Sequence, residues 1–166
     1  MLRLALGIAF VVGVVAFAAP KLETAAFSGG AREEAASAVQ SSGYRTITLE
    51  ADRAGHFRVE TVINGRRLTM MADTGATSVV LTAEDAARIG IRPRKQDFTV
   101  RMRTANGEAA AAPVTLKEIR VASIQVRNVR ALVAQEGALG VNLLGMSFIG
   151  ALKRFELKGD SLTLVQ

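Results

Sequence analysis

From Tyr44 to the C-terminus, apolar and polar residues alternate with period two, the mark of strands with one buried face. Tyr44–Glu50 alternates, as does His56–Ile63, and Asn64-Gly65 follows as the strongest two-residue hairpin signal. Arg67–Ala72 reads as the returning strand. Thr82-Ala83-Glu84-Asp85 is a capping-box-like start for a short helix, and Gly90 is placed to end it. Glu84 and Asp85 there complement the helix dipole. Phe98–Arg103 alternates again, and Asn106-Gly107 is a second hairpin tip. Further strands are expected near 113–126 and 128–134. A short apolar core helix over Met146–Leu152 and two last strands near 154–158 and 161–165 complete the chain. Turns about every eight to twelve residues, without an internal repeat, predict a small, mostly β barrel or sandwich with one or two short helices.

Leu4–Ala19 departs from this pattern. It is an unbroken apolar run without a charge, set between Arg3 and Pro20-Lys21. As a helix the run rises roughly 24 Å, against a bilayer core of about 30 Å. Met1, Leu2 and snorkelling Arg3 and Lys21 side chains close most of that gap. Two readings stand. Residues 1–20 are an uncleaved transmembrane signal-anchor, or a cleaved signal peptide with Ala16-Phe17-Ala18 as the cleavage site. Pro20 close behind makes a poor cleavage context, which favours the anchor. Either reading places the remainder outside the cytoplasm. Residues 21–42 carry Ser28-Gly29-Gly30, an Ala/Glu stretch and Ser41-Ser42, and read as a flexible tether. Residues 43–166 are left as the folded domain.

Composition narrows the chemistry. A chain of 166 residues has room for one domain and an anchor. The absence of Cys removes disulfides, thiolate nucleophiles and Cys-ligated metals, and one His, His56, is too few for the usual zinc sets. Neither a metal nor a cofactor is implied. His56, at the start of a strand, reads as a surface or turn histidine. The net charge of +6 lies entirely in residues 43–166, because residues 1–42 hold three basic and three acidic groups. Arg92, Arg94, Lys95, Arg101 and Arg103 form a basic cluster, but aromatic residues are only 5% of the chain. That lacks the stacking platforms of a single-strand binder, so no nucleic acid is expected. A solvated face, contact with anionic lipid or a bias in substrate choice remain open for the cluster.

One segment carries chemistry: Met71-Ala72-Asp73-Thr74-Gly75-Ala76-Thr77-Ser78-Val79-Val80-Leu81. Asp73 stands at a strand end among apolar residues, where an ionised carboxylate needs donors. The hydroxyls of Thr74 and Thr77 and nearby backbone N–H groups are expected to supply them. Gly75 permits a tight turn that leaves space above the carboxylate.

This segment resembles the active-site loop of retropepsin-like (clan AA) aspartic proteases. A second segment, Gly140-Val141-Asn142-Leu143-Leu144-Gly145, resembles the stretch before the C-terminal helix of that family. The resemblance covers roughly residues 43–166. Together with the N-terminal run it is closest to bacterial single-pass, membrane-anchored members. It implies a small, closed, barrel-like acid-protease fold after a transmembrane helix, with the protease domain in the periplasm, held at the inner membrane. It implies that Asp73 is catalytic, that Thr74, Gly75, Ala76 and Thr77 support the active-site loop, and that Thr74 bonds across the dyad. Asn142, Leu143, Leu144 and Gly145 would form the psi-shaped support. Arg103, Thr104, Ala105, Asn106 and Gly107 would form a flap over a protein or peptide substrate. The C-terminal strand Leu162–Gln166 would join a dimer sheet. The sequence departs from viral members in its Ala-rich flap (Ala109–Ala112) and in Thr77, where they carry an acid.

Aspartic proteolysis needs two carboxylates sharing one proton across a water. The other Asp residues of the domain, Asp52, Asp85, Asp97 and Asp160, are not followed by Thr/Ser-Gly. A homodimer in which Asp73 meets its own copy is therefore expected. Two rival readings remain: an inactive module of the same fold that dimerises or binds in the cell envelope, and a module that binds anionic surfaces.

Overall fold

The turn at Asn64-Gly65 sets the first hairpin. Both residues have positive φ (49° and 85°), the type I′ geometry that matches strand twist and that Asn-Gly adopts at least cost. It joins β2 (Phe57–Ile63) to β3 (Arg66–Ala72) in full antiparallel register, Phe57 opposite Ala72 and Ile63 opposite Arg66. The computed structural model describes residues 43–104 and 107–166. The apolar run, the tether and the flap-tip residues Ala105 and Asn106 lie outside them. Among the described residues no helix is long and apolar enough to cross a membrane.

The remaining strands are β1 (Thr46–Glu50), β4 (Val79–Leu81), β5 (Val100–Thr104), β6 (Gly107–Val121), β7 (Ile124–Ala134), β8 (Asn142–Leu144), β9 (Arg154–Lys158) and β10 (Ser161–Val165). They form a sheet in the order β2-β3-β8-β4-β7-β6-β5 and a second in the order β1-β10-β9. The end of β6 also pairs with β2, Ile63 opposite Ile119, and this closes six strands into a barrel with β5 as a flange. The fold is thus a mostly β closed barrel with two short helices, α1 (Ala83–Arg88) and α2 (Met146–Ile149). Ile63, Met70, Leu81, Leu116, Ile119, Ile124 and Phe148 are fully buried inside it. Leu162 and Leu164 of β10 belong to the same apolar cluster, so the small sheet shares the barrel's core.

Helix α1 starts where its cap signals predict. The Thr82 hydroxyl accepts from the Asp85 N–H at 3.2 Å, and Gly90 and Ile91 bond back to Ala87 and Ala86 in a Schellman-type end.

Three expectations are corrected. The break expected near residue 127 lies at Ala122-Ser123 instead, with Ala122 left-handed at φ 46°. No Gly or Asn marks that turn, and its flanks Val121 and Ile124 are both buried, so it leaves no polar gap in the pattern. The strand expected from Phe98 begins at Val100, after a 3₁₀ turn (Lys95–Asp97) held by Asp97 accepting from the Arg94 N–H at 2.7 Å. The helix expected to reach Leu152 ends at Ile149. The C-terminal strand is the middle strand of the small sheet. β10 pairs with β1 on one side and β9 on the other, Leu164 facing both Ile47 and Phe155. The two edges of that sheet are β1 and β9, and every residue of β9 is exposed.

Candidate active site

Strand β8 lies between β3 and β4, parallel to the first and antiparallel to the second, with Met71 opposite Leu143 and Leu143 opposite Val80. The chain crosses itself here, and the loop 73–78 is what joins β3 to β4. The Asp73 N–H continues the β3–β8 ladder by donating to the Leu144 carbonyl at 3.2 Å. The half-buried Asp73 side chain accepts a hydrogen bond from the Gly75 N–H at 2.8 Å. That amide is the carboxylate's only donor among the described residues; the Thr74 and Thr77 hydroxyls, expected to join it, do not. Thr74, Gly75 and Thr77 are exposed and Ala76 is half-buried.

Gly145 clamps this loop from below. Its neighbour's N–H, that of Met146, donates to the Ala76 carbonyl at 2.8 Å. A Cβ at Gly145 would stand 2.2 Å from the Ser78 carbonyl oxygen and 2.7 Å from that of Ala76. Both obstacles are backbone, so neither can swing aside. Gly145→Ala is expected to cost about 3 kcal/mol or more in chemical denaturation, the upper end of overpacking penalties.

Asn142 ties the crossing together. It is one of two buried polar residues among those described, at 2% exposure. Its Oδ1 accepts from the Thr82 N–H at 2.9 Å, and its Nδ2 donates to the Thr69 carbonyl at 3.1 Å and to Asp85 Oδ2 at 2.6 Å. Asp85 also pairs with Arg88 at 2.6 Å, so this acid does more than complement a dipole. Leu144 is fully buried and Leu143 half-buried. Asn142→Ala removes three hydrogen bonds at once, and is expected to cost about 3 kcal/mol in urea unfolding.

Ser147 was not legible in the sequence. Its hydroxyl accepts from the Val79 N–H at 2.8 Å and donates to the Arg130 carbonyl at 2.7 Å, fixing the β4 end of the loop. Only tertiary pairing brings those partners together.

Two grooves flank the loop. One, of about 360 Å³, runs from Asp73 and Thr74 past Met71 to His56, Leu157 and Leu162. His56 is exposed, as expected of a turn histidine, yet it shares this groove with Asp73. Asp52 braces the strand start beside it: the His56 N–H, above all, holds the Asp52 carboxyl below its ordinary value. The other groove, of about 420 Å³, lies between Gly75–Ser78 and the β5 residues Arg101, Met102 and Arg103. Of the expected flap, Arg103 and Thr104 end β5 and Gly107 begins β6, with the Thr104 hydroxyl donating to the Gly107 carbonyl at 2.9 Å.

A family model described as aspartyl protease matches residues 59–148. An uncharacterised Sinorhizobium protein is 42% identical over 75% of this chain and 53% of its own length. An uncharacterised Rickettsia prowazekii protein is 37% identical over 71% of this chain and 50% of its own. The chain thus spans about half the length of these curated relatives. The crystal structure of a retropepsin-like aspartic protease from Rickettsia conorii superimposes with a TM-score of 0.66 at 34% identity, over 74% of this chain and 91% of that one.

Proposed function

Because this chain belongs to the aspartyl protease family, with a retropepsin-like fold, we propose that it is an aspartic endopeptidase that works as a homodimer. The observation that carries the reading is Asp73, held at the end of β3 by the Gly75 N–H and open to a groove on the surface. One carboxylate per chain is half of a dyad. Two Asp73 carboxylates brought together share one proton, since like charges at that range do not both ionise. The ionised member takes a proton from water as it attacks the scissile carbonyl; the protonated member donates to the carbonyl oxygen. Thr74 then reaches across the two-fold axis, and residues 103–107 cover the bound peptide.

Of the two edges of the small sheet, β9 supports a specific pairing of the two chains. Phe155 and Leu157 share the face of β9 that carries Leu164 and Leu162 on the next strand, but remain 39% and 56% exposed. Leu157 also lines the groove that contains Asp73. A second β9 added at this edge buries both apolar side chains and carries the two sites towards each other. The opposite face of β9 reads Arg154, Glu156, Lys158, so an antiparallel copy offset by two residues sets Glu156 against a basic partner.

The N-terminal apolar segment fits an anchor in a bacterial inner membrane, with the protease in the periplasm and the tether between them. Confinement to two dimensions favours pairing. Cleavage of a denatured protein by the full chain, set beside the Asp73→Asn variant, tests the catalytic reading.

A further inference from the structure

Three arginines gather beside the active-site loop. Arg101 and Arg103 share a face of β5 at the mouth of the groove walled by Gly75–Ser78. An adjoining hollow of about 490 Å³ shares Thr77, Ser78 and Leu132 with it and adds Arg130. No acidic residue lines either space. All three arginines are exposed. Arg101 approaches Glu108 only at 3.9 Å, with 80% and 68% of the two side chains exposed, a contact too solvated to neutralise it. Among the described residues no carboxylate lies within ion-pair distance of Arg103 or Arg130.

We propose that this groove receives an acidic side chain of the peptide substrate, Asp or Glu, on one side of the scissile bond. The inference rests on the protease reading above and adds the substrate class to it. An extended peptide lying along the loop presents alternate side chains to one wall. A carboxylate that enters beside Thr77 and Ser78 meets planar guanidinium groups suited to bidentate pairing. Lysine in the same place meets like charge on two sides. The surplus of basic groups in residues 43–166 thereby acquires a role at the site itself.

The test uses the full chain in neutral detergent micelles and three matched peptides that differ only in Glu, Gln or Lys beside the scissile bond. The expected kcat/KM order is Glu, then Gln, then Lys, with about tenfold from first to last, since each exposed or partly exposed pair is worth roughly threefold. The order flattens as salt is raised. Arg101→Gln/Arg103→Gln/Arg130→Gln removes the order, and Arg101→Glu/Arg103→Glu reverses it. Binding of the same peptides to the Asp73→Asn chain, followed by anisotropy, repeats the comparison without cleavage. Equal cleavage and equal binding of all three peptides overturns the acidic preference and leaves the protease reading intact. Absence of cleavage by the unaltered chain, with the Glu peptide still bound preferentially, overturns the catalytic reading and supports the groove. Retention on anionic vesicles without any preference among the peptides overturns the proposal.

Discussion

Asp73→Asn is expected to lower peptide-bond hydrolysis by at least about 10⁴-fold, because it removes the base and the acid together. Asn has the shape of Asp and keeps an Oδ1 for the Gly75 N–H that now donates to Asp73 at 2.8 Å. The loop, its bond to Leu144 and the clamp at Gly145 are untouched, so the variant is expected to fold and to pair as the unaltered chain does. What it lacks is a group that can hold a proton in one copy and release it in the other. In a dimer the loss is shared: a mixed pair has one carboxylate and no partner for its proton. Activity in mixtures of the two chains is therefore expected to fall as the square of the unaltered fraction, when total chain is held constant and subunits exchange. A linear fall assigns a complete site to each chain and defeats the shared dyad. Equal cleavage by both pure forms removes Asp73 from the chemistry altogether.

The sequence disclosed most where a signal is local. Asn64-Gly65, the Thr82 cap and the bounds of β9 and β10 all depend on a few adjacent residues, and all agree with the structure. The Asp-Thr-Gly loop and the Asn142–Gly145 crossing were legible as a pair because both are short, contiguous segments. Their energetic roles were not. Three hydrogen bonds converge on Asn142 from residues distant in sequence, and the cost of a side chain at Gly145 depends on the Ser78 and Ala76 carbonyls. The Thr74 and Thr77 hydroxyls show the reverse error. Their closeness to Asp73 in sequence suggested hydrogen bonds that the loop's path does not make. The place of β10 was hidden for a related reason. Alternation identifies a strand and its buried face, yet gives no information on which neighbour takes each edge. A dimer sheet extended through β9 keeps Leu162–Val165 one strand in from the added edge.

The proposed β9 edge yields the second large effect. Glu156→Lys turns the outward face of β9 wholly positive; Arg154→Glu/Lys158→Glu turns it wholly negative. None of these three side chains is engaged in an ion pair among the described residues, so the substitutions spare the fold of the single chain. In a two-fold pair each change acts twice, converting attraction across the edge into repulsion. At roughly 1–2 kcal/mol for each altered cross-strand pair, either variant alone is expected to dissociate 30- to 1,000-fold more readily, an order-of-magnitude range. Sedimentation of the full chain in neutral detergent should show monomers for each, and hydrolysis should fall with the dimer. Mixing the two variants sets positive against negative edges, and dimer and activity are expected to return together. A third mixture, in which the Glu156→Lys chain also carries Asp73→Asn, is expected to recover the dimer without the activity. Such a result separates assembly from chemistry. If both single variants stay dimeric and active, β9 is not the pairing edge, and the shared site must be assembled through another surface.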